Sequence, residues 1–452
     1  MWTRRYNVMA TWSSFITWII ILALPTFLSA VGNPSESTID IGLGTHPDPA
    51  AGSVLPCTDL SSRPLPEPVH PFRVIWNHPV NCDTKNNPIH FEDYRIDFNH
   101  DMHFLGDKIR LYYTGGSWPH YTQGNPVSGG LPQTLDPQHY VTTRNDFMTS
   151  RGSGNFTGLA IIDYEGWRPI FTTNYGGLWV YQFKSIDRVR AMHPEYNQTM
   201  VREEAIREFE AGAREIFQKT LAIGQEVMPH GFWGYYNYPR FWTNARSTID
   251  INNRLAWLWK QADVLLPSIY LWGSANISRE AKERVVRNAV GEAVRIQQTF
   301  SRPNTPIYPY SWNQRGSYDF YSKEDLDATL RLSADLGASG VVLWGSSLYY
   351  RAHNQCQRLR QYVHDLLGPY VRNLTVFMET CSSQLCAKHG RCVRKDVDKT
   401  SVVNSLNTSV PMNFEDYHCR CYAPWSGPDC GTRHSVDCQP HSSGHGRTPI
   451  SG

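Results

Sequence analysis

Two carboxylic acids follow a short apolar run near the middle of the chain. The run Leu159–Ile162 is followed by Asp163 and Glu165, which stand two positions apart. If the run is a buried strand, its two-residue period directs both carboxyl groups to the same side. Two crowded acids should titrate apart, so that one is charged while the other holds a proton. Such a pair can protonate a leaving oxygen, whereas the alternative is an exposed Asp-x-Glu at a strand end.

The elements that must position these acids repeat along the chain. Amphipathic stretches with helical spacing occupy residues 201–221 and 278–298, and a capping-box sequence opens a helix at Ser322. Between such stretches lie short apolar runs at residues 72–76, 109–113, 159–162, 231–236, 264–270, 306–312 and 341–344. Strands that alternate with helices predict a parallel α/β fold, and a distorted, TIM-like (β/α) barrel over residues 72–375 fits best.

Aromatic residues mark the ends of these predicted strands. Tyr236, Tyr270, Trp312 and Trp344 each close an apolar run, as the acids do at 163 and 165. In a barrel the carboxyl ends of the strands meet on one face, where active sites lie. We therefore expect the acids to face a ring of aromatic side chains. The alternative for each aromatic residue is core packing, which we favour for Trp312.

The N-terminus and the cysteine content indicate the secretory pathway. Arg4 and Arg5 precede an apolar stretch and then Ser29-Ala30, which predicts a signal peptide over residues 1–30; a signal anchor is the alternative. Residues 31–71 predict a disordered linker. Ten cysteines fit an oxidising compartment, so we expect a secreted or lysosomal protein. Five glycosylation sequons agree with this: Asn155, Asn197, Asn276, Asn373 and Asn407.

Charge and composition exclude several partners. The chain has 43 Lys and Arg against 41 Asp and Glu, a balance of +2, and no basic run that would grip phosphates. We therefore expect no nucleic-acid partner. No histidines have the spacing of metal ligands, which predicts neither metal nor cofactor. No later apolar run is long enough to span a bilayer, so we expect no stable membrane anchor. We also expect the protein to be a monomer.

The C-terminal region has a different composition. Six cysteines between Cys381 and Cys430 have the spacing of an EGF-like module, which we place at residues 376–432. Spacing alone leaves fifteen pairings open. Residues 433–452 predict a flexible polar tail.

Taken together, the motifs resemble those of the hyaluronidases of glycoside hydrolase family 56, including its chondroitin-hydrolysing invertebrate members. The resemblance covers Phe72 to Cys430. It rests on WN at 76–77, GGLPQ at 129–133, IDYEGWRP at 162–169, WGYY at 233–236, PSIY at 267–270, GVVLWG at 340–345 and the sequon at Asn373. It implies a distorted barrel enzyme that hydrolyses bonds after N-acetylhexosamine in an anionic polysaccharide, chondroitin or hyaluronan.

The resemblance also implies disulfide pairings. These are Cys82–Cys356, Cys381–Cys392, Cys386–Cys419 and Cys421–Cys430. Cys57 and Cys438 remain, and we expect a bond between them.

The two acids lie on the same strand, so they cannot easily attack a sugar from opposite sides. We therefore expect the substrate acetamido oxygen to attack the anomeric carbon, with Glu165 as proton donor and then as base for water. Asp163 would stay ionised or share a proton, and Tyr270 would hold the acetamido group. The expected substrate-binding side chains are Tyr236, Trp344 and Trp118.

Two positions depart from the family pattern. Arg240 and Phe241 follow Pro239, where many members have an Asp and a Cys, and Ala289 aligns with an Arg of the vertebrate members. We expect both changes to alter the charge around the groove and to leave the choice between chondroitin and hyaluronan open. The alternative function is a catalytically weak protein for glycosaminoglycan binding or adhesion.

Overall fold

The structure is a computed structural model. It describes residues 65–66, 68–80, 88–113, 115–150, 155–242, 244–272, 277–315, 319–346, 349–350, 352–396 and 414–434. Several expectations lie outside these residues: the signal peptide, most of the linker and the tail, the cysteines at 57, 82 and 438, and the sequons at 276 and 407.

Fifteen strands are present in the described part of the chain. They are β1 (Arg73–Asn77), β2 (Ile96–Phe98), β3 (Ile109–Tyr112), β4 (His120–Thr122), β5 (Asn125–Val127), β6 (Leu159–Ile162), β7 (Phe232–Tyr235), β8 (Tyr310–Ser311), β9 (Gln314–Arg315), β10 (Asp319–Phe320), β11 (Gly340–Trp344), β12 (Gly390–Arg394), β13 (Tyr417–Cys421), β14 (Trp425–Ser426) and β15 (Thr432–Arg433).

The helices lie between and after these strands. They are α1 (Gln138–Ser150), α2 (Trp179–Met192), α3 (Gln198–Val227), α4 (Ala245–Arg254), α5 (Ala256–Gln261), α6 (Arg279–Thr299), α7 (Lys323–Leu326, then a π segment Asp327–Arg331), α8 (Leu332–Asp335), α9 (His353–Tyr362, then a π segment Val363–Leu367) and α10 (Gly368–Leu385). Short 3-10 turns occur at Glu92–Tyr94, Pro132–Thr134, Phe171–Thr173 and Gly176–Leu178. Within the described ranges no helix combines the length and apolar character that crossing a bilayer requires.

Polar caps start the main helices where the sequence supplies them. The Asn197 side chain accepts a hydrogen bond from the Met200 amide at the start of α3, and Ser278 caps α6 in the same way. Ser322 forms the expected capping box with Asp325 at the start of α7. These side chains satisfy amide groups that a helix leaves unpaired in its first turn.

The larger strands form two parallel sheets. One has the order β2-β1-β11-β8 and the other β3-β6-β7. Parallel pairing brings the carboxyl ends of neighbouring strands level with one another: Asn77 stands opposite Trp344, and Ile162 stands between Tyr112 and Tyr235. The α/β class with parallel sheets is therefore confirmed.

The apolar run at residues 264–270 is not a continuous strand. It makes isolated parallel bridges to Ile307 and Tyr310, while the Asp263 amide, just before the run, donates to the Trp233 carbonyl at 2.8 Å. Pro267 within this run, and Pro306 and Pro309 in the run it faces, have no amide hydrogen to donate. The missing donors interrupt the ladder, so the predicted 306–312 run is reduced to the two residues of β8.

Alternate residues of the parallel strands form one apolar cluster. Its members include Ile75, Leu111, Ile161, Val342 and Tyr310, all nearly inaccessible to solvent. The intervening residues point the other way, into two further clusters covered by helices. Each strand directs every second side chain into this shared cluster. The residue two positions beyond the last of these side chains therefore lies next to the cluster, at the carboxyl end of the strand.

One close contact fixes the distance between a helix and a strand. A Cβ on Gly224 of α3 would lie 2.6 Å from the indole of Trp233 in β7. Trp233 is itself fully buried between Tyr112 and Phe147. Glycine at this position lets the helix backbone lie directly against the tryptophan.

The cysteine-rich end packs against the α/β part. The antiparallel pair β12–β13 carries three disulfide bonds, Cys381–Cys392, Cys386–Cys419 and Cys421–Cys430, which are the pairings implied by the resemblance. Cys356 is disulfide-bonded as well. The predicted boundary between residues 375 and 376 lies inside α10, so a single helix belongs to both parts.

Buried polar contacts join the same two parts. The Tyr417 hydroxyl donates to Asp335 at 2.8 Å and accepts from Arg331 at 2.6 Å, while Arg391 donates to the Ser339 hydroxyl at 2.6 Å. All of these side chains are buried. The C-terminal segment therefore shares a core with the α/β part.

Candidate active site

The two acids lie directly beyond the end of β6. The Asp163 amide donates to the Tyr112 carbonyl at 2.9 Å, and the Tyr236 amide donates to the Ile162 carbonyl at 3.0 Å. The parallel ladder thus continues through the first acid. Asp163 also continues the series Leu159, Ile161 that points into the shared apolar cluster, so its side chain lies at the end of that cluster. We call Asp163 and Glu165 the acid pair.

Tyrosine hydroxyls surround the acid pair. Tyr113, Tyr236, Tyr270 and Tyr310 are each close enough to Asp163 for its charge to raise the pKa of the phenol. Burial is the larger cause in all four cases. These phenols therefore stay protonated and can donate hydrogen bonds to an acceptor beside the pair.

The aromatic rings hold one another in place. The rings of Tyr236 and Tyr310 meet edge to face, with centroids 5.0 Å apart. The Trp344 indole donates a hydrogen bond to the Tyr113 hydroxyl at 3.0 Å. Trp344 ends β11 and Tyr113 follows β3, so this bond connects the two parallel sheets at the site.

Beneath the acid pair lie buried polar atoms without hydrogen-bond partners. They are Oδ1 of Asp163, both side-chain polar atoms of Asn77 and the hydroxyl of Tyr310. A buried polar group without a partner costs about 1–3 kcal/mol, and most native structures avoid it. A polar group placed beside these atoms would therefore find hydrogen-bond partners at the strand ends.

The environment separates the two acids electrostatically. Burial, and then the neighbouring Glu165, hold the pKa of Asp163 well above its usual range. Glu165 is exposed to solvent, yet the protein atoms around its carboxyl raise its pKa. The positive charges of Arg240 and then of Arg168 lower that pKa in part. Burial thus makes Asp163 the harder acid to ionise, which favours a shared proton over a permanently ionised Asp163.

Comparison with known proteins identifies a family with this arrangement. The sequence model of the hyaluronidases, glycoside hydrolase family 56, matches residues 62–434. The chain belongs to the hyaluronidase family. It is a glycoside hydrolase, which argues against the alternative of a protein that only binds glycans.

The relatives match between two thirds and nearly all of the chain. The hyaluronidase conohyal-Cn1 of Conus consors is 38% identical, over 94% of this chain and 95% of its own length. Hyaluronidase-1 of Sus scrofa is 32% identical, over 80% of this chain and 93% of its own length. Bee venom hyaluronidase in complex with a hyaluronic acid tetramer superimposes with a TM-score of 0.62 at 31% identity, covering 67% of this chain and 99% of that one.

A second aromatic group borders the site of this hyaluronidase family member. Tyr270 stacks on Trp312 with centroids 4.5 Å apart and planes 9° apart, and Trp272 meets Trp312 edge to face, also at 4.5 Å. Trp272 is 64% exposed. Trp272 was not predicted as a site residue, although it stands two residues beyond Tyr270 and so continues the two-residue period of that apolar run.

Three further residues were missed in the same way. Asn77, Tyr113 and Tyr310 each continue the series that points into the shared apolar cluster, from β1, β3 and β8. The signal was the same two-residue period that identified Asp163. It was not applied to these three positions.

Trp118, expected to stack on a flanking sugar, is a core residue. It is 6% exposed and stacks on Tyr164 with centroids 4.1 Å apart, with the edges of Trp167 and Phe217 against it. Its ring faces are occupied by the protein, so the expectation of sugar stacking is wrong. Trp118 instead supports the segment that carries the acid pair.

Ala289 also differs from the expectation. It is 3% exposed on the buried face of α6, so it contributes nothing to a groove. The expected change in groove charge at this position is wrong, because a small apolar side chain is what this packing requires. Arg240, by contrast, does lie near the acid pair.

Of the three described sequons, two are at exposed positions. Asn155 and Asn197 are exposed, whereas Asn373 is partly buried on α10. The cap made by Asn197 uses its side-chain oxygen, so its amide nitrogen is left available.

Proposed function

We propose that this protein is a secreted or lysosomal endo-β-N-acetylhexosaminidase that hydrolyses glycosaminoglycans, hyaluronan and chondroitin among them. The observation that carries the proposal is the acid pair at a strand end, enclosed by tyrosine hydroxyls, in a member of the hyaluronidase family. A relative solved with a hyaluronic acid tetramer supports a polymeric substrate.

We also propose the architecture that encloses this site. The strand order β2-β1-β11-β8 continues through the 264–270 segment to β7-β6-β3. Asn99, just after β2, exchanges hydrogen bonds with both backbone groups of Ile109 in β3. This side chain replaces strand pairing at the closing point of a distorted, TIM-like barrel. The disulfide-linked segment from Cys381 to Cys430 is an EGF-like module.

In the first step Glu165 donates its proton to the oxygen of the glycosidic bond. Glu165 is the acid of the pair that is exposed, and the protein atoms around its carboxyl raise its pKa, which favours the protonated form that a proton donor needs. As the bond from the anomeric carbon to the leaving oxygen breaks, the acetamido oxygen of the substrate bonds to that carbon. The substrate supplies the nucleophile because both protein acids approach from one side.

In the second step water attacks the anomeric carbon and gives its proton to Glu165. The bond to the acetamido oxygen breaks, so the product keeps the original configuration after two displacements. Asp163, sharing a proton with Glu165, orients the acetamido group and stabilises the positive charge that develops on it. The Tyr270 hydroxyl holds the same group, while Tyr236 and Trp344 shape the subsite.

Replacing Glu165 by Gln tests this assignment. The amide keeps the size of the side chain but has no proton to transfer, so turnover of hyaluronan and chondroitin should fall about 10²- to 10⁴-fold. Glu203→Gln is the matched control, since Glu203 is an exposed glutamate on α3. Wild-type digests should contain saturated ends. Near-normal turnover by Glu165→Gln, or unsaturated uronate absorbing in the ultraviolet, would contradict the mechanism.

A further inference from the structure

Two arginines share one tryptophan ring beside the acid pair. The guanidinium carbons of Arg168 and Arg240 lie 5.5 and 5.4 Å from the ring centroid of Trp242. They come from different segments, Arg168 from the loop after β6 and Arg240 from the loop after β7. The fold therefore brings two positive charges together, and each is among the causes that lower the pKa of Glu165.

Neither cation is neutralised by the part of the chain that is described. No carboxylate there lies within 4.0 Å of either guanidinium, whereas other arginines such as Arg254 and Arg315 pair with Glu210 and Asp325. Burial and then the neighbouring Arg240 lower the pKa of Arg168. Two like charges held close together repel each other, so an oxyanion placed beside them would be bound favourably.

The two arginines differ in how they are held. Arg168 donates to the Thr173 carbonyl at 2.5 Å, and its own amide donates to the Asn174 side chain at 2.8 Å. Within the described residues the hydrogen bond of Arg240 is made by its backbone carbonyl, which accepts from the Asn252 side chain. The guanidinium donors of Arg240 make no hydrogen bond within the described residues, so they are the ones available to a ligand.

The position of the pair suggests which ligand group it meets. Both arginines act on Glu165, the proposed donor to the leaving oxygen, rather than on Asp163. In an alternating glycosaminoglycan the sugar on the leaving side of a hexosamine is a uronate, whose carboxylate matches the planar fork of a guanidinium. A sulfate ester on the hexosamine offers the same oxyanion chemistry.

We propose that Arg240, assisted by Arg168, is a specificity-determining residue that binds an oxyanion of the polysaccharide next to the cleaved bond. This rests on the proposed function and deepens it. The positive charge of Arg240 favours ionisation of Glu165 and so couples substrate binding to the proton donor.

The test compares Arg240→Gln and Arg240→Lys with the wild type. Arg246→Gln is the matched control, since Arg246 is an exposed arginine on α4. For Arg240→Gln we expect kcat/KM to fall about 10- to 100-fold, the loss of one charge-assisted hydrogen-bonded contact. The basic limb of its kcat profile, set by ionisation of the donor, should move to higher pH. Arg240→Lys should keep the basic limb of the kcat profile at its wild-type pH, because the positive charge remains. Its kcat/KM should lie between those of Arg240→Gln and the wild type.

Four substrates distinguish the two sources of the oxyanion. Hyaluronan and unsulfated chondroitin carry only carboxylates, whereas chondroitin 4-sulfate and 6-sulfate carry both groups. A similar loss on all four assigns the carboxylate, and a loss confined to the sulfated polymers assigns the sulfate. If Arg240→Gln matches Arg246→Gln on every substrate and its pH limb does not move, the proposal is overturned.

A binding measurement separates this proposal from the proposed function. Calorimetry would compare chondroitin and hyaluronan oligosaccharides binding to Glu165→Gln and to Glu165→Gln/Arg240→Gln. Weaker binding of at least one oligosaccharide by the double variant supports the oxyanion site even if the wild type proves to be inactive on these polymers. Equal binding of all of them by the two variants contradicts the site, whatever the activity.

Discussion

Replacing Asp163 by Asn should stabilise the folded protein at neutral pH while inactivating it. Asp163 is the acid whose ionisation burial opposes most strongly, and one of its oxygens has no hydrogen-bond partner. An asparagine has nearly the same shape and carries no charge at any pH.

The sign and size of the effect follow from proton linkage. The pKa of Asp163 in the folded protein lies above the value near 3.9 of an unfolded chain. The folded state therefore binds the proton more tightly than the unfolded state. Below about pH 3.9 Asp163 is protonated in both states and does not change the free energy of unfolding, and that free energy falls progressively as the pH rises toward the folded pKa. Each unit of pKa elevation removes about 1.4 kcal/mol at neutral pH, and Asp163→Asn should recover that amount.

Thermal unfolding at one scan rate, from pH 3.5 to pH 7.5, measures this effect. The apparent Tm of Asp163→Asn should equal that of the wild type at the acid end and exceed it at neutral pH, while turnover falls at least about 100-fold. Asp187→Asn is the control, because that carboxylate is exposed and pairs only with Arg190 on the same helix. An Asn variant that is less stable at pH 7, or whose advantage does not depend on pH, would refute the reasoning.

Three further predictions concern the surroundings of the site. Trp272→Ala should raise KM for long polymers several-fold with little change in kcat or Tm, because the indole is largely exposed beside the site and we expect it to stack on a sugar of the polymer; steady-state kinetics on polymers and on short oligosaccharides would show this. Gly234→Ala should destabilise by about 1–3 kcal/mol, since its Cβ would lie 2.5 Å from the Val264 carbonyl oxygen; thermal unfolding checks it. Tyr417→Phe removes a hydroxyl that bridges two buried charged groups, so it should lower stability by about 1–3 kcal/mol and leave kcat/KM unchanged in the same assays.

The sequence predicted the parallel sheets and the location of the acid pair for a single physical reason. Strands that point every second side chain into one cluster must place the next residue at their carboxyl ends beside it. Asp163 and Trp344 follow this rule, and Asn77 and Tyr113 would have followed had it been applied to every run. A local period is thus enough to place a residue on the right face.

The same rule fails where packing between distant segments decides. Trp118 lies in a loop without any period, and only the folded chain shows that Tyr164 and Phe217 cover its ring. Ala289 was assigned to a groove by alignment, yet it lies on the buried face of its helix. The burial of Trp118 has no signal in its sequence neighbours. That of Ala289 does, because it shares the helical spacing of Val286, Val290 and Ala293, and the alignment was preferred over this signal.

Buried polar atoms without hydrogen-bond partners occur in several parts of the described chain, and those of Asn77, Asp163 and Tyr310 belong to the strand ends at the site. Other buried polar groups are paired, as in the contacts of Arg331 with Asp335 and Tyr417. At the strand ends Asp163 is half-buried and has a buried oxygen without a hydrogen-bond partner, and the polar side-chain atoms of Asn77 and Tyr310 are buried without partners too. Such a cluster lowers stability, and functional sites are where proteins depart from the rules that stabilise the rest of the fold. An acetamido group entering this space would supply both a hydrogen-bond donor and a hydrogen-bond acceptor. The hydrogen bonds that it formed with the unpartnered atoms would then contribute to the binding free energy of the substrate.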